Sequence, residues 1–264
     1  MEFDKYINAK YRLPQEFSET YSLNNPFPHI VFEDFINEDL INDVNKEFPD
    51  LLKLSNKLNF KTQNEIKLTS IGMEDLSPSA FKLISFLNSD IFLIYLQKLT
   101  GIKEKLFSDP YLLGGGYHEI KKGGFLDVHA DFNKYKDVNL DRRINLLLYL
   151  NHDWNVEWNG NLGLYSKDDL KNPKKIIKPD FNRCVIFTTT SNTYHGHPEK
   201  LRCPDGTSRK SIALYYYSYG RPASEMAKTH GTRFRNDKNF FKDLIKDLLP
   251  PIISRNVKKL LKKD

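Results

Sequence analysis

From about residue 110 onward the chain breaks into short β-rich runs, at 142–150, 160–165, 174–178, 184–190 and 209–219, separated by Gly, Asn, Asp and Pro. Runs of four to ten residues at such even spacing predict an antiparallel sandwich or barrel. The first hundred residues have a different character. Residues 1–36 are irregular and Pro/Asn-rich around Asn24-Asn-Pro-Phe-Pro28, after which Leu40, Ile41, Val44 and Phe48 recur at helical spacing behind an Asn37 cap. Ser77-Pro78 and Ser89-Asp90 read as two further helix starts and Gly101 as a stop, so this region is expected to be mainly helical. Residues 236–264 turn helical again, with Phe240, Phe241, Leu244, Ile245, Leu248 and Leu249 ahead of Pro250-Pro251. The predicted architecture is α+β with a mainly β core: helical support over 1–108, a β core over 109–220 and a basic helical extension over 221–264, forming one domain.

Composition narrows the class. A hydrophobic share of 39%, with 18 Phe and 14 Tyr, suits a packed globule, whereas 28% charged residues argues against a membrane-embedded one. No run reaches the roughly 18 apolar residues of a spanning helix. The start, Met-Glu-Phe-Asp-Lys-Tyr, lacks the basic-then-apolar order of a secretory signal, so a cytoplasmic location is the default expectation. Two cysteines, Cys184 in an apolar run and Cys203 in a loop, do not suggest a disulfide framework. The net charge of +6 belongs to the end of the chain: residues 221–264 hold 12 Lys/Arg against 5 Asp/Glu, leaving 28 against 29 in residues 1–220. No nucleic-acid partner is therefore expected for the whole protein. The tail has two readings, a helix docked on the sandwich with its lysines solvated, or contact with an anionic membrane surface through Phe240 to Lys263.

Chemistry concentrates in Gly123-Gly-Phe-Leu-Asp-Val-His-Ala-Asp-Phe-Asn133 and Thr193-Tyr-His-Gly-His-Pro198. On an extended segment, side chains two apart share a face, so His129 and Asp131 can bind one ion together. A later histidine, His195 or His197, completes a three-ligand set, and strand parity does not choose between them. Nitrogen and oxygen ligands without thiolate favour iron, manganese or zinc, and three protein ligands leave positions open for chemistry. His29, His118, His152 and His230 lack such a setting and are expected to be surface or satisfied histidines.

Five ordered blocks then resemble one family. They are Gly114 to Asn133, Asp141-Arg-Arg-Ile-Asn-Leu-Leu-Leu-Tyr-Leu-Asn-His-Asp-Trp154, Asn182-Arg-Cys-Val-Ile-Phe-Thr-Thr-Thr190, Tyr194-His-Gly-His-Pro198 and Ser208-Arg-Lys-Ser-Ile-Ala-Leu-Tyr-Tyr-Tyr217. Together they resemble the iron(II) and 2-oxoglutarate-dependent dioxygenases of the prolyl 4-hydroxylase-like group. The resemblance implies a double-stranded β-helix, or jelly roll, with Fe(II) held by His129, Asp131 and His195. It also implies that Arg209 and the Tyr149 hydroxyl grip the distal carboxylate of 2-oxoglutarate. Guanidinium suits that task because its planar donors pair two oxygens at once. Ser211, on the same strand face, could add a donor, and Arg202 is the nearest rival to Arg209. Tyr117, Asn133, Asn145 and Tyr194 are candidates for contacts around the site, Trp154 and Trp158 for packing or the rim.

The family pattern is departed from at Asn159-Gly160, where Gly-Gly is usual, and in the longer loop Glu199 to Thr207. The implied activity is hydroxylation of an unactivated C–H bond, with 2-oxoglutarate converted to succinate, dioxygen consumed and ascorbate as an optional reductant. The substrate is a small molecule or a peptidyl residue: prolyl, or a free amino acid, sugar or glycan precursor. A jelly-roll binding module without turnover is the alternative from another class, and the oligomeric state is left open.

Overall fold

The computed structural model describes residues 3–109 and 111–235. Its helices begin where the capping residues stand. After a short α1 (Ser18–Leu23), the Asn37 side chain accepts from the Leu40 N–H at the start of α2 (Glu38–Lys46). Ser77 caps α3 (Pro78–Leu87) through the Ala80 N–H, Ser89 caps α4 (Asp90–Thr100) through the Phe92 N–H, and Gly101 ends α4 at φ +73°. Each cap satisfies a donor that the helix itself cannot, worth about 1 kcal/mol.

The strands are β1 (His29–Phe32), β2 (Lys57–Lys61), β3 (Glu65–Ser70), β4 (Leu106–Phe107), β5 (Gly116–Lys121), β6 (Phe125–Ala130) and β7 (Lys134–Tyr135), followed by β8 (Leu140–Tyr149), β9 (Leu162–Tyr165), β10 (Lys175–Ile177), β11 (Cys184–Thr188), β12 (Tyr194–His197), β13 (Ser208–Ser218) and β14 (Arg233–Phe234). They run in the order β1-β11-β8-β13-β5-β3-β6-β12-β9-β10, with β2 on β3, β4 on β13, β7 on β8 and β14 on β6. The described pairings are antiparallel. The sheet curls so that β8 and β11 stand across from β6 and β12, as contacts such as Asn145 to Asp131 and Phe187 to His195 show.

The expectation of a mainly helical first hundred residues is corrected. β1 pairs with β11, and the β2–β3 hairpin places β3 between β5 and β6. Polar and apolar residues alternate over Glu65-Ile-Lys-Leu-Thr69, and the segment finds partners for its backbone in neighbouring strands. The extension also departs from expectation: residues 221–235 hold a short 3-10 turn and β14. The expected helix over 236–264 and its membrane contact lie outside the described residues.

Alternation along two central strands sorts the core from the site. Ile144, Leu146 and Leu148 of β8 and Ile212, Leu214 and Tyr216 of β13 pack into one buried cluster with Leu83, Ile84, Phe92 and Leu96 of α3 and α4. Burying each such side chain contributes about 1.5–3 kcal/mol. The opposite faces, Asn145, Leu147 and Tyr149 on β8 and Arg209, Ser211 and Tyr215 on β13, line an internal cavity. Because both faces are covered, the Leu146–Leu148 run is continuously apolar. Asn182, at φ +56°, clips the N-terminal layer to this core: its amide accepts from Ile36 N and donates to Ile36 O, each at 2.8 Å.

Candidate metal centre

Three side chains meet at one end of the cavity. His129 lies near the end of β6, Asp131 just beyond it, and His195 on β12 directly opposite His129 in the register. The His129 Nε2 is 3.6 Å from Asp131 Oδ1, the His195 Nε2 is 3.5 Å from Asp131 Oδ2, and one donor atom from each residue lies within 4.8 Å of the others. Their other ring nitrogens face carbonyls, His129 Nδ1 at 2.9 Å from Asp127 O and His195 Nδ1 at 3.4 Å from Thr193 O. A carbonyl only accepts, so each Nδ1 carries the proton and each Nε2 turns a lone pair toward Asp131. Burial, then the neighbouring His129, pushes the His195 pKa down to about 3, which keeps it a neutral ligand. Two imidazole nitrogens and one carboxylate, without thiolate, are a donor set that fits Fe(II).

The carboxylate is held from behind. Burial alone would raise the pKa of Asp131, but the Arg142 guanidinium leads the influences that bring it well below the ordinary value. Arg142 Nη2 stands 3.0 Å from Asp131 Oδ2, and the same oxygen accepts from Asn145 Nδ2 at 2.7 Å. Arg142 also donates through Nε to Asn145 Oδ1 at 2.9 Å, and its guanidinium lies 3.5 Å from the centre of the Tyr215 ring. Sequence reasoning missed Arg142 because a bulge defeats parity. Tyr216 faces Ile144 but Tyr217 faces Arg142, so Arg143 is an extra residue in β8. Arg142 thereby joins Asn145 on the cavity side, while Arg143 reaches Glu104 and Ser218.

The far end of the cavity holds Arg209, Tyr149 and Ser211. Arg209 is buried; its Nε donates to Gly160 O at 2.7 Å and its Nη2 to the Tyr149 hydroxyl at 3.2 Å. No carboxylate pairs with it among the described residues. Asn159-Gly160 turns through two positive φ values, 63° and 80°, and so aims the Gly160 carbonyl at the guanidinium. Arg202, by contrast, is exposed.

Other candidates fall elsewhere. Tyr117 packs on Phe48 and bonds Ser77, on the helical side of the sheet. Tyr194 sits in a small cluster with Val128, Ala130 and Tyr165. Asn133 accepts from His230 N and donates to Lys228 O, pinning the segment that leads to β14, where Phe234 lies 5.5 Å from the His129 ring. Trp154 and Trp158 pack edge to face. His118 lines the cavity, although its Nε2 is satisfied by Gly114 O at 2.9 Å; burial, then Lys67, takes its pKa down to about 3. His29, His152 and His230 find partners in Phe27 O, the Phe181 ring and Ser191.

Gly196, between the two histidines of β12, brings the strand against β6. A Cβ there would stand 2.8 Å from Asp127 O and 3.0 Å from Leu126 O, both backbone atoms that cannot swing aside. Gly196→Ala is expected to destabilise the fold by about 1–3 kcal/mol and to weaken metal binding, read by thermal melts with and without metal.

Residues 115–217 match the family model described as the 2OG-Fe(II) oxygenase superfamily. This stretch resembles a 2OG-Fe(II) oxygenase core. The core's similarity extends to prolyl hydroxylases, as the resemblance implied. The chain is 28% identical over 200 residues to the prolyl 3-hydroxylase OGFOD1 of Mus musculus, matching 73% of this chain and 33% of that protein. It spans about a third of the length of the curated relatives it matches. Among solved structures, a prolyl hydroxylase from Trichoplax adhaerens, in complex with a hypoxia inducible factor peptide fragment, superposes with a TM-score of 0.58 at 18% identity, covering 81% of this chain and 96% of that one. HygX from Streptomyces hygroscopicus, with nickel and 2-oxoglutarate bound, gives 0.53 at 12% identity, covering 83% and 96%. The jelly-roll expectation for the oxygenase fold is thus met.

Proposed function

We propose that the chain is an Fe(II)- and 2-oxoglutarate-dependent dioxygenase that hydroxylates an unactivated C–H bond. The observation that carries this reading is a single cavity with the His129, Asp131 and His195 donors at one end and, at the other, the buried Arg209, with which no carboxylate of the described residues pairs. Bound there, Fe(II) and 2-oxoglutarate supply the oxidising chemistry, in which dioxygen gives one oxygen atom to the substrate and one to succinate, with loss of carbon dioxide.

The chain's own residues do three things. His129, Asp131 and His195 hold the metal, while Arg142 and Asn145 fix the Asp131 carboxylate so that its position does not depend on the ligand. Arg209 and Tyr149, with Ser211 beside them, grip the distal carboxylate of the co-substrate. Ile120, Leu147 and Leu162 make the walls apolar and keep bulk water from the reacting end. No side chain is required as a nucleophile or general acid.

The relatives' names favour a prolyl substrate, in a peptide before a free amino acid. A reducing, cytosolic setting belongs to the same proposal, because it keeps iron ferrous and the buried free thiols Cys184 and Cys203 reduced. The test is succinate release from 2-oxoglutarate with Fe(II) and ascorbate, with and without proline-containing peptides, free proline and glycan precursors. Release stimulated by one class names it; no release under any condition sinks the oxygenase reading and leaves a binding module.

A further inference from the structure

His197 is a buried polar side chain to which the metal and co-substrate contacts above give no task. It is 3% exposed, and neither ring nitrogen has a hydrogen-bond partner among the described residues. Buried polar groups without partners are rare, because each forfeits its hydration with nothing in return. Two on one ring point to a ligand.

The backbone explains where the ring faces. His195 stands opposite His129 and His197 opposite Leu126, with the β6–β12 register slipping by one residue between them. That slip keeps Leu126 and His129 on one face, so both histidines of β12 look into the same cavity. His197 nevertheless stands outside the donor group, which comprises His129, Asp131 and His195. It belongs with Arg209 instead: both line the same cavity, and His197 also borders a second one with Gly160, whose carbonyl accepts from Arg209 Nε.

Arg209 leaves room for another donor. Its Nε is spent on Gly160 O and one Nη2 hydrogen on the Tyr149 hydroxyl. A bidentate pair engages two of the remaining guanidinium hydrogens, so with the Tyr149 hydroxyl three of a carboxylate's about four acceptor positions are filled. We propose that His197 is a third donor to the distal carboxylate of 2-oxoglutarate, closing a pocket with Arg209 and Tyr149. This rests on the co-substrate reading above.

The test compares two 2-oxo acids on the anaerobic Fe(II)-loaded protein by calorimetry, with no turnover involved. 2-Oxobutyrate keeps the metal-chelating end and lacks the distal carboxylate. His197→Leu is expected to weaken 2-oxoglutarate binding by about ten- to a hundredfold, the range for one hydrogen bond to a charged group, and to leave 2-oxobutyrate unchanged. His197→Gln, which keeps a side-chain donor, recovers most of the loss. Unchanged 2-oxoglutarate binding in the leucine variant, or an equal loss for both acids, overturns the proposal. Should that variant fail to fold, His197→Phe, which keeps a ring and has no donor, replaces it, and its preference for 2-oxoglutarate over 2-oxobutyrate must fall. Wild-type protein that binds 2-oxobutyrate as tightly as 2-oxoglutarate would instead remove the co-substrate reading itself.

Discussion

His129→Ala is expected to leave a folded protein whose Fe(II) affinity falls at least about a hundredfold, the upper range for altering even an outer-sphere partner of a metal ligand, and whose succinate release disappears. His129 supplies one of three donor atoms that lie within 4.8 Å of one another, and no fourth His, Cys, Asp or Glu joins that group among the described residues. The measurement is a metal titration followed by thermal melts. A ligand that binds only the native state at a hundred times its Kd stabilises by about 2.7 kcal/mol. Wild-type protein should therefore melt higher with saturating Fe(II) under anaerobic conditions, and the variant should not. Because the imidazole touches the ring of Phe234 and the carbonyl of Asp127 and nothing catalytic beyond the triad, its removal should cost the metal-free fold little by comparison. Turnover or a metal-induced rise in melting temperature that survives in the variant would show that the triad is misassigned.

Arg209→Met is expected to separate stability from co-substrate binding. The guanidinium is 5% exposed and has no carboxylate partner among the described residues, and burial pulls its pKa down despite the Tyr149 hydroxyl beside it. A buried charge in that state is held against its desolvation cost by two neutral oxygens, Gly160 O and Tyr149 Oη. Methionine fills similar space with no charge to desolvate. The ligand-free variant should therefore be as stable as the wild type to within about 1 kcal/mol, even though two hydrogen bonds are lost. Its 2-oxoglutarate affinity, in contrast, should fall by about 2–5 kcal/mol, the usual loss when one partner of a buried charge pair is truncated. A variant that melts much lower and binds 2-oxoglutarate normally would make Arg209 a structural residue.

The helix starts were legible because capping is local: Asn37, Ser77 and Ser89 each bond an N–H three residues away. The two ends of the cavity were legible because ordered blocks carried them, and the structure brings His129, Asp131 and His195 together and sets Arg209 beside Tyr149. β3 was missed, although polar and apolar residues alternate from Glu65 to Thr69, since a short half-exposed strand between two helical regions carries little apolar signal. Arg142 was missed for a different reason. One extra residue in β8 moves it to the face that period-two counting assigns to its neighbour, and a bulge leaves no mark in composition. Tyr117 was misplaced by the converse error, an aromatic close in sequence to the site whose strand turns it toward Ser77.

By itself the sequence determined what chemistry the chain can hold: which residues can ligate a metal, which cation can receive a dicarboxylate, and where strands and helices begin. Those properties reside in side-chain types and in spacings of two to four residues, which local backbone geometry converts directly into shared faces and caps. Only the tertiary structure decided that Arg142 and Asn145 clamp Asp131 and that, among the described residues, Arg209 waits without a carboxylate and His197 is buried without partners. Each of these depends on strand register and on the curl that sets β8 and β11 across from β6 and β12, contacts between residues far apart in the chain that no local pattern encodes.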